Sequence, residues 1–302
     1  MVRPMQDAEI RSNVALAHAL LDRHAPDLAG LPVCPVVSDG TDNAMYRVGD
    51  SLAMRLPRRL AAARLLEKEA RILPRLERMP LSLPNPVRQF PASADFPYPW
   101  SLVTWIKGRT AQMDALENPA DAGRALAGFL AALRATDADG APLAGAANHR
   151  RGVPLSELAD QTLNCIAALA DEIDAVEARA LWREALAVPF EGPPVWLHGD
   201  LKADNLLARD GRLVAVIDWG LAAAGDPAVD LAPAWTWLDR AGADAFRTAT
   251  DMPGPYWQRA RGWALYCAVI ALEYYRETPN RPCRNPALCA TSRATLGRLG
   301  LR

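Results

Sequence analysis

The stretch that most constrains this chain is "VWLHGDLKADNLLARDGRLVAVIDWG", residues 195 to 220. Asp210-Gly211 stands between two apolar runs, and Asp-Gly in that setting is a strong two-residue hairpin signal. A turn that tight pairs Leu207 with Val214 and Asn205 with Val216. Side chains alternate along a strand, so Asn205, Val216 and Asp218 then share one face. Asn205 and Asp218 become diagonal neighbours at the open end, about 7–8 Å apart. Two oxygen-bearing side chains at that spacing can converge on a hard cation such as Mg²⁺, which takes oxygen ligands and leaves positions for phosphate and water. Asp200 lies five residues before Asn205, just past the short strand "VWL", and projects into the same end. A carboxylate not needed for metal is free to orient or deprotonate a hydroxyl.

A second constellation lies upstream. In the helical run "RRLAAARLLEKEARIL", Glu69 has Leu65, Leu66, Ile72 and Leu73 three and four residues away, so it falls inside the apolar stripe. A carboxylate on a core face needs a partner. Arg55, an isolated cation in the strand-like "LAMRL", is the candidate.

Around these motifs the chain reads as two lobes. Short β-rich runs, "VCPVVSDG", "NAMYRVGD" and "SLAMRLP", predict an antiparallel meander, followed by the helix bearing Glu69, which Pro74 bends or ends. "WSLVTWI" is a further strand and "KGRT" a linker. Beyond residue 118 the pattern is mostly helical, with Asn118-Pro119 and Asp226-Pro227 as cap-and-start pairs. The expected fold class is α+β: a β-rich lobe over 1–105 with one main helix, and a larger helical lobe over 106–302 carrying a small hairpin. With 302 residues, half of them hydrophobic, the chain can bury a core of that size.

A net charge of −1 gives no basic bias towards nucleic acid. The longest apolar stretch, "GWALYCAVIAL", is too short to span a bilayer. Five scattered cysteines without a Cys-x-x-Cys motif read as free thiols in a reducing, cytoplasmic setting.

"HGDLKADN", "VIDWG" and "GDPAVDLA" together resemble the aminoglycoside phosphotransferase family, whose protein-kinase-like fold it shares with macrolide phosphotransferases and choline- or homoserine-type kinases. Protein kinases place H-R-D-x-x-x-x-N and D-F-G at the same tasks. The resemblance implies that ATP or GTP donates its γ-phosphoryl group to a small-molecule hydroxyl, with Mg²⁺ as cofactor. It implies Asp200 as catalytic base, Asn205 and Asp218 as Mg²⁺ ligands, and Lys202 reaching the transferred phosphoryl group. Glu69 matches the helix glutamate of the nucleotide-positioning ion pair, with Arg55 in the place of the usual lysine. His198 is expected to pack and fix the loop, and Asp230 to brace it.

No G-x-G-x-x-G is present; "SDGTDN" offers Ser38, Thr41 and backbone N–H groups to phosphate instead. Only seven residues separate Asp218 from Asp226, too few for a long activation loop or a peptide platform, which favours a small-molecule acceptor. Glu273, in an otherwise apolar helix, is the candidate residue facing a cationic acceptor. The alternatives are an inactive nucleotide-binding protein of the same fold and a kinase of a metabolite alcohol such as choline or homoserine. A metallohydrolase built on His198, Asp200 and Asp218 has weak support, because only four histidines exist. Acceptor identity and oligomeric state stay open.

Overall fold

The computed structural model describes residues 9–36, 42–278 and 280–302. The chain divides into two compact units, Met1–Arg78 with Ser82–Lys107, and Met79–Leu81 with Gly108–Arg302. Ser38 and Thr41 lie outside the described residues.

The first unit opens with helix α1 (Val14–His24), capped by Asn13, whose side chain accepts from Leu16 N. Strands β1 (Val33–Pro35), β2 (Asn43–Val48) and β3 (Leu52–Pro57) follow as the expected meander. Helix α2 (Leu60–Ile72) passes into a tight turn at Leu73–Arg75, where Pro74 removes the next amide donor. Strands β4 (Pro86–Phe90) and β5 (Trp100–Thr104) complete a five-stranded antiparallel sheet in the order β1-β2-β3-β5-β4. Alternation along β2 buries Ala44, Tyr46 and Val48. These residues join Leu20, Leu21, Met54, Leu56, Trp100 and Leu102 in one core. Each fully buried leucine, valine or methionine among them contributes roughly 1.5–3 kcal/mol of transfer free energy.

The second unit starts with β6 (Arg109–Thr110), inside the segment expected to be a plain linker. It is followed by α3 (Pro119–Ala135), α4 (Ala159–Ala168) and α5 (Ala175–Leu186). Asn118 caps α3 through Ala120 N with Pro119 in the first turn, as the sequence suggested. Four short strands come next: β7 (Val195–Leu197), β8 (Leu206–Arg209), β9 (Arg212–Val216) and β10 (Ala223–Gly225). The unit closes with α6 (Pro233–Thr236), α7 (Arg240–Thr250), α8 (Gly254–Tyr275) and α9 (Pro286–Arg298). Trp182, Trp263, Phe129 and Phe246 are fully buried among these helices. No helix among the described residues is long and apolar enough to cross a membrane.

The small sheets place the polar motif. One has the order β6-β8-β9, and the other pairs β10 with β7. Asp210 and Gly211 both have positive φ, 51° and 74°, as a two-residue turn between twisted strands demands.

The register departs from expectation. Ala208 faces Leu213 and Arg209 faces Arg212, but a bulge then shifts the pairing, so Leu207 faces Ala215 and Leu206 faces Val216. An inserted residue reverses the side-chain alternation beyond it. Asn205 therefore falls opposite Ile217, whose N–H donates to the Asn205 carbonyl at 2.9 Å, and not opposite Val216.

Candidate active site

Two clusters carry the residues singled out above, one in each unit. In the first unit, Arg55 on β3 and Glu69 on α2 form a buried ion pair through Arg55 Nη1 and Glu69 Oε1. The side chains are 9 % and 2 % exposed, which leaves neither charge compensated by bulk water. Removal of either partner strands the other in a low-dielectric setting.

In the second unit, the segment between β7 and β8 is built by Asp230. Its carboxylate accepts from His198 N at 2.6 Å and from Gly199 N at 2.8 Å. Asp230 sits on the turn Pro227–Leu231, which Asp226 caps through Ala228 N. Gly199 has φ +83°, and a Cβ there would meet Arg151 Cβ and the Leu221 carbonyl at 3.1 Å each. Glycine is thus required by conformation and by space alike. His198 is fully buried and edge-on to Trp219. Its Nδ1 accepts from Asp200 N at 3.2 Å, so Nε2 carries the proton and donates to the Ile217 carbonyl at 3.0 Å. The histidine ties the loop to the β9 end, as expected of a packing residue.

Asp200 is held from three sides. The Asn205 amide donates to its backbone carbonyl at 2.8 Å and to its Oδ2 at 2.9 Å. Lys202 Nζ lies 3.1 Å from the same Oδ2. Burial works against ionisation of Asp200, but the charges of Lys202 and Arg151 outweigh it and hold the carboxyl below its ordinary range. Lys202 also loses solvation, yet Asp200 and then Asp218 bias it upward, so it stays an ammonium.

Asp218 follows β9 with a left-handed backbone, φ 63°, and its side chain is exposed. Among the described residues it makes no side-chain hydrogen bond or ion pair. No group of three His, Cys, Asp or Glu side chains among the described residues is placed to hold a metal. The donor set nevertheless suits Mg²⁺. Asn205 spends its amide protons on Asp200, which leaves Oδ1 as an open acceptor, and Asp218 offers a carboxylate. Mg²⁺ usually needs one or two such protein ligands beside phosphate and water.

Glu273, on α8, lies 3.9 Å from Arg281 Nη2, which also donates to the Glu273 carbonyl. Its carboxylate is thus shared with a neighbouring cation.

Three residues escaped the sequence reading. Arg259 on α8 binds Asp226 through Nε at 2.7 Å and Nη2 at 3.2 Å, so Asp226 is more than a helix cap. Asn148 is buried and donates to the Arg151 and Leu221 carbonyls, at 2.7 and 3.2 Å. Arg151 then lies along Gly199. The polar run "NHRRG" was the only available signal for the last two.

The fold is that of the kinase-like phosphotransferases. The chain belongs to the phosphotransferase enzyme family (APH), whose sequence pattern it matches over residues 33–263. It is 31 % identical over 147 residues to an aminoglycoside 3'-phosphotransferase of Escherichia coli, covering 46 % of this chain and 52 % of that protein. The matched region thus spans about half the length of that curated relative. Among solved structures, the GDP complex of wild-type aminoglycoside 2'-phosphotransferase-IIIa superposes with a TM-score of 0.70 at 18 % identity, over 96 % of this chain and 99 % of that one. A macrolide 2'-phosphotransferase type I superposes at 0.60 with 19 % identity, over 95 % and 98 %.

Proposed function

We propose that the protein transfers the γ-phosphoryl group of ATP or GTP to a hydroxyl of a small-molecule acceptor. The observation that carries this reading is the holding of Asp200 by Asn205, with the open Asp218 carboxylate following the neighbouring strand. Asp200 accepts the acceptor's hydroxyl hydrogen bond and aligns its oxygen for attack. A carboxylate kept ionised is a competent hydrogen-bond acceptor and takes the proton as the new P–O bond forms. The bond to the leaving diphosphate breaks in the same displacement. Lys202 balances charge on the phosphoryl oxygens. Arg55, fixed by Glu69, clamps the donor's phosphates as a fork rather than as the point charge of a lysine. Asn205 Oδ1 and Asp218 would hold Mg²⁺, which would supply further charge neutralisation when bound. Ser38 and Thr41 remain candidates for phosphate contact, and Glu273 for acceptor contact. Positioning and electrostatics, rather than covalent chemistry, supply most of the rate.

Free cysteines, the small net charge and the lack of a membrane-spanning helix among the described residues fit a cytoplasmic enzyme working on dissolved substrates.

The test is product analysis by mass spectrometry. Protein, Mg²⁺ and ATP or GTP are incubated with kanamycin, erythromycin, choline and homoserine. A mass gain of one phosphate, abolished by Asp200→Asn, is the expected result. Full turnover in Asp200→Asn would overturn the mechanism.

A further inference from the structure

Arg151 is a charge of the second unit that takes no direct part in the phosphoryl transfer proposed above. Its Cβ packs against Gly199, the residue before Asp200. Its guanidinium crosses towards α8, where Nη1 donates to the Cys267 thiol and Cζ lies 5.9 Å from the Tyr266 ring centroid. Its Nε is buried and has no hydrogen-bond partner. A guanidinium carries five donors in a planar fork, and a thiol is a weak acceptor. No salt bridge joins Arg151 to a carboxylate among the described residues, whereas its neighbour Arg150 is paired with Glu157. A half-buried guanidinium whose Nε is buried and unpaired has donor capacity left for an oxygen-rich partner.

The surroundings say what that partner is. Lys202 stands on Asp200, and Arg151 acts on the same carboxylate from the side of α8. Glu273, the carboxylate expected to face a cationic acceptor, is engaged by Arg281. An ammonium placed on the α8 side of the reacting hydroxyl would therefore meet the Arg151 charge, while Asp200 and Glu273 are already engaged by Lys202 and Arg281.

Resting on the kinase reading of this site, we propose that Arg151 is the acceptor-reading residue. It receives an oxyanion, a carboxylate or a phosphate, borne by the alcohol close to its reacting hydroxyl, and it disfavours an ammonium there. The planar fork suits bidentate contact with either oxyanion. The acceptor is accordingly an acidic alcohol rather than a polycationic one.

Hexoses that differ only in charge provide the test. The full chain, with Mg²⁺ and a non-hydrolysable ATP analogue, is titrated calorimetrically with glucuronate, glucose 6-phosphate, glucose and glucosamine. Wild type should bind at least one of the two anions about tenfold or more tighter than glucosamine. The glucuronate and glucose 6-phosphate arms separate carboxylate from phosphate recognition. Arg151→Ala keeps the Cβ against Gly199 and the backbone carbonyl bound by Asn148, so the loop should hold while the charge ranking collapses. Arg151→Glu should invert the ranking. Equal or tighter binding of glucosamine by wild type, an unchanged ranking in Arg151→Ala, or no binding of any hexose in the millimolar range would each overturn the assignment. Nucleotide binding is scored separately. Its absence would remove the kinase reading, while the same titrations without nucleotide would still decide the role of Arg151.

Discussion

The Asn205 amide reaches Asp200 twice, at the backbone carbonyl at 2.8 Å and at Oδ2 at 2.9 Å. One side chain therefore fixes where the carboxylate stands and, with Lys202, occupies Oδ2 and leaves Oδ1 unengaged by either. The bulge in the β8–β9 hairpin sets the other side of Asn205, bringing it level with Ile217, the residue before Asp218.

Replacing Asn205 should separate positioning from binding. Asn205→Ala frees the Asp200 carboxylate to rotate and removes one of the two proposed Mg²⁺ ligands. The expected outcome is a fall in kcat on the order of 10²-fold or more, comparable to loss of a positioned acid–base group, together with a higher Mg²⁺ requirement. Steady-state kinetics at several Mg²⁺ concentrations checks it. An unchanged kcat at saturating Mg²⁺ would show that Asn205 neither holds the base nor orients it.

Asp226 and Arg259 form a pair with side chains 1 % and 4 % exposed, and Asp226 also caps the turn that carries Asp230. Breaking a buried pair from one side costs roughly 3–5 kcal/mol, because the survivor is left charged and unpaired. Arg259→Met should therefore destabilise strongly, and the double variant Asp226→Asn/Arg259→Met less than the sum of the two singles. Urea unfolding of all four proteins gives the coupling. Additive effects would mean that the pair is not a unit.

Much of this geometry was legible before any coordinates. Asp210-Gly211 announced the turn, Asn118 the cap of α3, and Glu69 inside an apolar stripe announced a buried pair with Arg55. These signals are local or rest on one strong energetic demand. The rest was hidden for physical reasons. A bulge leaves the composition of "RLVAVI" unaltered, so a two-residue period misses it. Strand β10 is Ala-Ala-Gly, residues without strand propensity that pair only because β7 lies alongside. Asp226 and Arg259 are 33 residues apart in sequence, and nothing local in either segment points to the other. Arg151 reads as one more exposed cation until Gly199 is seen against it.

Gly199→Ala tests the loop directly. The residue holds φ +83°, and an added methyl would press on the Leu221 carbonyl and on Arg151 Cβ. A left-handed backbone alone costs an alanine roughly 1–2 kcal/mol. Relieving the contacts would also shift the amides that Asp230 accepts from. Activity should fall much further than stability does. Thermal unfolding alongside kcat checks this, and a variant that loses stability but keeps full kcat would mean the loop tolerates the shift.

Lys68 provides a pH signature within the first unit. Burial pushes its ammonium down to about 8 from an ordinary 10.5, with neighbouring Glu69 opposing the shift. Below about pH 8 the folded chain holds a charge it solvates poorly, so the full penalty is present. Between about 8 and 10.5 the unfolded chain binds more protons than the folded one, and stability rises with pH from this group. Lys68→Met removes the titrating group. Its stability relative to wild type should be most favourable near neutrality and should decline steadily as pH climbs through that window. Urea unfolding of both proteins from neutral pH to about 10 measures the difference. Parallel curves would mean that Lys68 keeps an ordinary ammonium in the folded state.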